Sequence, residues 1–186
     1  MPVPPAAPAP SPPALPEAGI WVHTALTTSV ASGADAPGPR GPMLVDFWPA
    51  GAAYAYAWET RDRRWCSASI RAGRYILSGC TLAPTAVGDS RGVHWLDVLF
   101  TRGVVYLFGV DNQQVNSVTF GGKPLKARRV GTVAHGARTL YAVRSADYVK
   151  GSVVFSLSHD GTTSEASVDL DGVDDGVGDR TCYAAP

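Results

Sequence analysis

Between residues 43 and 170 the apolar residues fall in short runs at every second position, and turn-forming residues separate these runs. This period of two is typical of β-strands, because successive side chains along a strand point to opposite faces. No window in this range keeps the i, i+3, i+4, i+7 spacing of an amphipathic helix. We therefore expect an all-β domain at residues 43–170, an antiparallel β-sandwich of Ig-like or jelly-roll-like type. A partly open β-barrel is the alternative.

The pattern predicts about ten strands, divided by Gly-rich and Asp-Gly turns. The dipeptides Asp160-Gly161 and Gly121-Gly122 predict tight hairpins, since these residues tolerate positive φ. The predicted strands cover residues 44–48, 53–59, 64–70, 75–80, 93–100, 104–110, 115–120, 125–130, 139–145, 152–159 and 162–170.

The first 42 residues differ in composition from the predicted domain. Eight of the 15 prolines lie within the first 16 residues, and proline has a fixed φ and no N–H for a sheet ladder. Residues 1–42 are therefore predicted to be an extended stalk or a head without function, interrupted by a short apolar patch at residues 20–30. Because a Pro-rich stalk often follows a signal sequence or membrane anchor, we expect such a leader to precede Met1 in the natural protein. Membrane contact is expected only through that anchor.

The formal net charge is zero, from 16 basic and 16 acidic residues, and this argues against a nucleic-acid partner. The charges are unevenly distributed: residues 61–144 carry +9, and residues 145–186 carry −6. Residues 171–186 are predicted to be an acidic tail that screens a basic sheet face. The densest basic cluster is a candidate contact for an anionic polymer or lipid head groups, with a solvated strand face as the alternative. This cluster consists of Lys123, Lys126, Arg128 and Arg129, and a second one consists of Arg61, Arg63 and Arg64.

Two of the three cysteines, Cys66 and Cys80, lie in predicted neighbouring strands. Antiparallel strands can bring such a pair within bonding distance, and closing this loop would stabilise the fold by about 3 kcal/mol. Disulfides persist in oxidising compartments, so the pair indicates an extracytoplasmic protein, and two buried thiols in a cytosolic protein are the alternative. Cys182 is then left over, either free or bonded to a partner chain.

The aromatic side chains near the start of the domain could form a stacking platform for sugars. The same rings can instead fill a sandwich core, and their alternation with alanine in the segment AYAYAWE favours the core. The platform candidates are Trp48, Tyr54, Tyr56 and Trp58, with Trp65 and Trp95 further along the chain.

No convincing catalytic or metal-binding constellation is present. Ser90 lies in a G-x-S-x-G match, but the strand–turn–helix setting of a nucleophile elbow is missing, so a polar loop is favoured. The four histidines are isolated and there is no CxxC, which argues against zinc. The carboxylates Asp169, Asp171, Asp174 and Asp175 are dense enough for calcium, but they lack the EF-hand spacing, and a solvated tail is favoured. No cofactor is expected.

Several segments together resemble the small extracytoplasmic β-domains of secreted or membrane-anchored actinobacterial proteins, many of which are uncharacterised. The resemblance covers roughly residues 43–165 and consists mostly of strand and turn motifs, so it implies fold and compartment rather than activity. The motifs are Trp65-Cys66, the SGC at 78–80, the VVYLFGV at 104–110, the VNSVTFGG at 115–122, the LYAVR at 140–144 and the Asp-Gly hairpin.

We expect a non-enzymatic, extracytoplasmic binding or protein-interaction module whose partner is a protein or a cell-envelope polymer. A secreted carbohydrate-active or serine-hydrolase-like protein is one alternative, with Ser90 or the aromatic face as its site. A structural subunit of a larger assembly is the other, with a long unpaired edge strand as its sign.

Overall fold

The structure is a computed structural model that describes residues 35–48, 50, 53–71, 75–81, 87, 91–146, 149–171 and 181–183. The described part is all-β and contains no α-helix. Its strands are β1 (Met43–Trp48), β2 (Ala53–Glu59), β3 (Trp65–Arg71), β4 (Tyr75–Cys80), β5 (Gly92–Phe100), β6 (Val104–Asp111), β7 (Gln114–Phe120), β8 (Lys123–Leu125), β9 (Ala127–Val133), β10 (Arg138–Ser145), β11 (Ser152–His159), β12 (Thr162–Asp169) and β13 (Thr181–Tyr183).

The strands form three antiparallel sheets, and none of the three closes into a barrel. The N-terminal sheet has the order β1-β2-β3-β4-β13, the middle sheet β5-β6-β10-β9 and the C-terminal sheet β12-β11-β7-β8. The prediction of an antiparallel, all-β sandwich is confirmed, with a third sheet added.

The middle sheet is covered on both faces, and this is clearest in β6, where all eight residues are buried. Tyr106 and Phe108 pack against the C-terminal sheet, where the Phe108 ring meets Phe155 edge-on at a centroid distance of 4.9 Å. Val105 and Leu107, on the opposite face of β6, pack against residues of the N-terminal sheet. The two sets alternate along one strand, so a single strand contributes to two apolar layers.

Both predicted hairpins form. Asp160 and Gly161 have φ of 47° and 77°, and Gly121 and Gly122 have φ of 54° and 73°, as a two-residue hairpin turn requires. The strand predicted at residues 125–130 is divided, however. Its start is the short edge strand β8 of the C-terminal sheet, and the rest belongs to β9 of the middle sheet. Lys126 lies at the point where the chain passes between these sheets.

The predicted boundaries at both ends need correction. Within the predicted stalk, the Gly38 N–H donates to the Glu59 carbonyl at 2.7 Å, and Arg40 donates to the Thr132 carbonyl at 2.6 Å. Within the predicted acidic tail, β13 pairs with β4 and extends the N-terminal sheet, so Cys182 belongs to a strand. These segments belong to the folded domain because their backbone groups bond to it.

Cys66 and Cys80 face each other in the β3–β4 register and form a disulfide. The predicted pairing is confirmed, and it links neighbouring strands of the N-terminal sheet. In the part of the chain that the structure describes, no helix is long and apolar enough to cross a membrane.

Candidate functional site

The rings considered as a sugar platform do not form an exposed surface. Tyr54, Tyr56 and Trp58 share one face of β2 and are at most 1 % exposed. Trp48 pairs with Ala53 in the β1–β2 register and therefore lies on the opposite face. Trp65 is also buried, and Trp95 is the one large apolar side chain exposed among the described residues. Three of the four rings therefore fill a core, which is the alternative that their alternation with alanine favours, and they form no exposed platform.

The main basic cluster is divided by the pleat of β9. Arg128 pairs with Ala142, whose side chain packs toward the N-terminal sheet. Arg129 pairs with Tyr141, which belongs to the core shared with the C-terminal sheet. The two consecutive arginines consequently project from opposite faces, while Lys123 and Lys126 lie exposed in and after β8. The four residues do not form one anionic-partner surface.

The second basic cluster is bound to nearby groups. Arg64 forms ion pairs with Asp62 at 2.8 Å and with Asp35 at 2.7 Å, and these carboxylates raise the pKa of the Arg64 guanidinium. Hydrogen bonds from the Thr60 hydroxyl and from Arg64 lower the pKa of Asp62. Arg63 lies 3.0 Å from the His135 ring. These contacts connect the end of β2 to the segments beside it.

The remaining sequence candidates are only partly described. Ser90, Asp174 and Asp175 lie outside the described residues. Asp169 accepts a hydrogen bond from the Asp171 N–H at 2.9 Å, as in a local turn. One described group of potential metal ligands consists of Asp35, Cys66 and Cys80. Since the two cysteines are joined as a disulfide, they offer no thiolate to a metal.

The described residues do enclose a polar cleft of about 540 Å³ between the ends of the middle and C-terminal sheets. One wall is the connection from β6 to β7, another is β9 and the turn that follows it, and the third is the β11–β12 hairpin. The lining side chains offer amide, hydroxyl, guanidinium, imidazole and carboxylate groups. They are Asn112, Gln113, Gln114, Arg129, Thr132, Thr139, Ser158, His159 and Asp160.

Backbone geometry fixes the walls of this cleft. Asn112 has a φ of 51°, and its N–H donates to the Ala137 carbonyl at 2.8 Å, which holds the β6–β7 connection against the segment before β10. Asp160 and Gly161 form the tight turn that ends the third wall, and His159 Nε2 lies 2.9 Å from the Asp160 carboxylate. The polar groups are therefore held by turns whose conformation the fold dictates.

A buried ion pair lies directly before Asn112 in the chain. Asp111 is 1 % exposed, and its carboxylate accepts hydrogen bonds from Arg138 Nε at 2.6 Å and Nη2 at 2.9 Å. His94 Nε2 lies 2.9 Å from the same carboxylate, although its side chain is 47 % exposed. This network ties together β5, β6 and β10 at the end of the middle sheet, next to the cleft. We expect it to act as rigid support.

The cleft has the chemistry of a binding site for a hydrophilic ligand. Paired donors and acceptors on Asn and Gln side chains match the hydroxyl groups of a glycan, and Arg can hold a carboxylate or phosphate. Among these residues sequence reasoning had selected only Arg129. The amides of the segment DNQQ at 111–114 were missed because they carry no periodic signal, and the turn at 160–161 was recognised only as a turn.

Comparison with protein-family models, with curated proteins and with solved structures finds no match to this chain.

Proposed function

We propose that this protein is a non-enzymatic, extracytoplasmic binding module that holds a glycan bearing acidic groups in the amide-lined cleft. The observation that carries the proposal is the lining itself. Three consecutive amide residues, Asn112 to Gln114, line the cleft together with the Ser158–Asp160 end of a hairpin, and Arg129 is on the adjoining wall. The Gln113 amide nitrogen also donates to the Ser164 hydroxyl at 3.3 Å, which ties this wall to β12. Such a cleft offers hydrogen bonds to a polyhydroxylated chain and one permanent cation to an acidic substituent.

The extracytoplasmic location in this proposal is supported by the Cys66–Cys80 disulfide. Structural disulfides are rare in reducing compartments and persist in secreted and envelope proteins. A cell-envelope polymer is the partner that combines this location with the hydrophilic lining of the cleft.

Arg129 and Arg128 provide a matched pair of variants for the test. The probe is a trigalacturonate oligosaccharide, with maltotriose as a neutral probe, and side-chain amide NMR shifts report the binding. We expect trigalacturonate to shift the amides of Asn112, Gln113 and Gln114, and Arg129→Gln to weaken its binding about tenfold, which corresponds to about 1.4 kcal/mol. Arg128→Gln, which removes the same charge from the opposite face, should leave the affinity unchanged.

Three results would contradict the proposal. Equal weakening by both variants would mean that only the overall charge matters, and trigalacturonate shifts outside the cleft would place the site elsewhere. If maltotriose bound as tightly as trigalacturonate, the role given to Arg129 would be wrong.

A second candidate function is protein interaction through a sheet edge. The eight-residue strand β12 is an edge strand in the described sheets and bonds to β11 on one side. Most of its side chains are exposed, and Glu165 and Asp169 make it acidic. Like charges disfavour pairing of two β12 strands, so this edge fits a basic extended segment of another protein. In the β11–β12 register Ser167 pairs with Val154, away from the cleft, and its N–H faces the open edge. The variant Ser167→Pro should abolish capture of such a partner without affecting trigalacturonate binding.

A further inference from the structure

The N-terminal sheet carries an apolar face that points away from the middle sheet. We call it the outer aromatic face. It consists of Tyr54, Tyr56, Trp58, Cys66, Ala68 and Ile70. The register confirms that these residues share one side, since Tyr54, Tyr56 and Trp58 pair with Ile70, Ala68 and Cys66 respectively.

The opposite, inner side of the same strands packs against the middle sheet. Ala55, Ala57 and Trp65 pack with residues of the middle sheet, and the Ser67 hydroxyl bonds to Asp97 of β5. The Ser69 hydroxyl and the Asp46 carboxylate, on the same inner side, accept hydrogen bonds from Phe100 and Thr101 of the middle sheet and the turn after β5. No described sheet packs against the outer aromatic face, although none of its members is more than 5 % exposed.

A face of this kind does not remain in water. Each aromatic side chain carries roughly 150–250 Å² of surface, so Tyr54, Tyr56 and Trp58 together carry roughly 450–750 Å², and the largest apolar patch of a typical monomer is roughly 300–600 Å². Another segment must therefore cover the outer aromatic face, and the position of Asp35 indicates which one.

The described chain begins on this face. Asp35 accepts a hydrogen bond from Trp58 Nε1 at its carbonyl oxygen, at 2.8 Å, and its carboxylate pairs with Arg64. The same carboxylate lies within 4.8 Å of the sulfur atoms of Cys66 and Cys80. The residues that precede Asp35 therefore start above the outer aromatic face, at the end marked by Trp58 and the disulfide.

The sequence before Asp35 is uncharged and partly apolar, as a segment that covers an apolar face must be. Residues 18–34 contain no Asp, Glu, Lys or Arg, and they include Ile20, Trp21, Val22, Leu26 and Val30. Asp35 follows Val30 by five positions, so the two residues are at most roughly 18 Å apart when the chain between them is extended. The seven-residue strand β2 is itself roughly 23 Å long. The apolar segment at residues 20–30 is thus connected closely enough to Asp35 to lie along the sheet. It is also long enough to cover β2.

We propose that residues 20–30 of this chain dock on the outer aromatic face and form a fourth apolar layer of the domain. Residues 18–34 then belong to the folded domain, and only the Pro-rich segment at residues 1–16 acts as the stalk. The inference is independent of the cleft, which lies between the other two sheets.

The first test is photo-crosslinking in the full chain. Phe47 lies partly buried beside the outer aromatic face, where it pairs with Tyr54, so Phe47→p-benzoylphenylalanine places a photoreactive ring there. The first basic residue is Arg40, so trypsin releases residues 1–40 as one peptide and residues 41–61 as the next. After irradiation we expect these two peptides to be covalently joined, with the bond mapped by mass spectrometry to residues 20–30.

The second test compares two Leu-to-Asp variants of the full chain. Leu26→Asp places a carboxylate in the proposed contact and should lower Tm by roughly 5–10 °C. Leu15→Asp, in the Pro-rich segment, should leave Tm unchanged. Leu26→Asp should also increase binding of a hydrophobic dye, because it uncovers the outer aromatic face.

Several outcomes would overturn the proposal. A crosslink between two different chains, detected by mixing isotopically light and heavy protein, would identify a second copy as the cover. A crosslink to residues 62–186, or one confined to residues 31–40, would exclude residues 20–30. Equal Tm values for Leu26→Asp and Leu15→Asp would also exclude residues 20–30 as the cover.

Discussion

The guanidinium of Arg138 holds the carboxylate of Asp111 through two hydrogen bonds, and both residues are at least nine-tenths buried. Asp111 ends β6 and Arg138 begins β10, so the pair closes the β6–β10 ladder beside the cleft. A buried charge is tolerated only when it is paired and hydrogen-bonded. Several expected properties of the protein depend on this relationship.

Removing the carboxylate should destabilise the fold strongly. Asp111→Asn leaves the Arg138 cation buried without its counter-ion, and we expect the free energy of unfolding to fall by about 3–5 kcal/mol. The control is His94→Ala, which removes the exposed member of the network and should cost less than about 1 kcal/mol. Urea denaturation of the two variants measures both values, and equal losses would show that the ion pair does not carry this stability.

Gly109 should be intolerant of a side chain because Arg138 lies across it. A Cβ at residue 109 would lie 2.6 Å from Arg138 Cδ, whose position the bond to Asp111 fixes. We expect Gly109→Ala to lower the free energy of unfolding by about 1–3 kcal/mol.

The matched control for Gly109 is Gly131→Ala. Its Cβ would approach only the Met43 side chain, with Sδ at 2.5 Å and Cγ at 3.7 Å, near the end of a flexible side chain. That thioether can rotate away, so we expect the smaller loss here. The reverse order in thermal melts would mean that Arg138 adjusts more easily than Met43.

Tyr56 should make the protein sensitive to alkaline pH. Burial, together with the neighbouring Tyr54, raises the pKa of Tyr56 from 10.0 to about 12. The folded state therefore disfavours tyrosinate, and stability is full below pH 10 and is lost as the pH rises toward 12. The limiting slope is about 1.4 kcal/mol per pH unit.

The pH effect is isolated by comparing the protein with its Tyr56→Phe variant. Burial also raises the pKa of Tyr106, so the total alkaline loss has more than one source. We expect the free energy of unfolding of the variant to fall less steeply between pH 10 and 12 in urea denaturation. Parallel curves would contradict the role of Tyr56.

The disulfide should contribute measurable stability. Cys66 and Cys80 are 14 residues apart, and a crosslink across a loop of this size is worth about 3 kcal/mol. The double variant Cys66→Ala with Cys80→Ala should lose about that amount, whereas Cys182→Ala should change stability little. Alkylation of the denatured protein without reductant should leave Cys66 and Cys80 unlabelled, and their labelling would disprove the bond.

Local features of the fold could be predicted well. The bounds of β2, β4 and β11 agree with the predicted strands, because period-two alternation and flanking turn residues are local signals. The two hairpin dipeptides and the disulfide pair were likewise visible. The strand β13 was missed because three residues in an acidic, Gly-rich context carry no periodicity.

The candidate site was largely invisible in the sequence. A cleft is defined by segments that are distant in the chain, such as residues 112–114 and 158–161, and no spacing rule connects them. Arg129 was a candidate because it belongs to a basic cluster in the sequence. It lines the cleft, however, because the β9–β10 register turns its side chain toward the C-terminal sheet. A shift of that register by one residue would exchange the faces of Arg128 and Arg129.

The sequence by itself determined most of the strands, the two hairpin turns and the alternation of side chains along each strand. Only the tertiary structure decided which sheet each strand joins and which faces are covered. The segment AYAYAWE illustrates the division, since alternation separates its rings from its alanines but does not say what lies on either side. The physical reason is that alternation follows from the geometry of one strand, whereas burial depends on the elements packed against it.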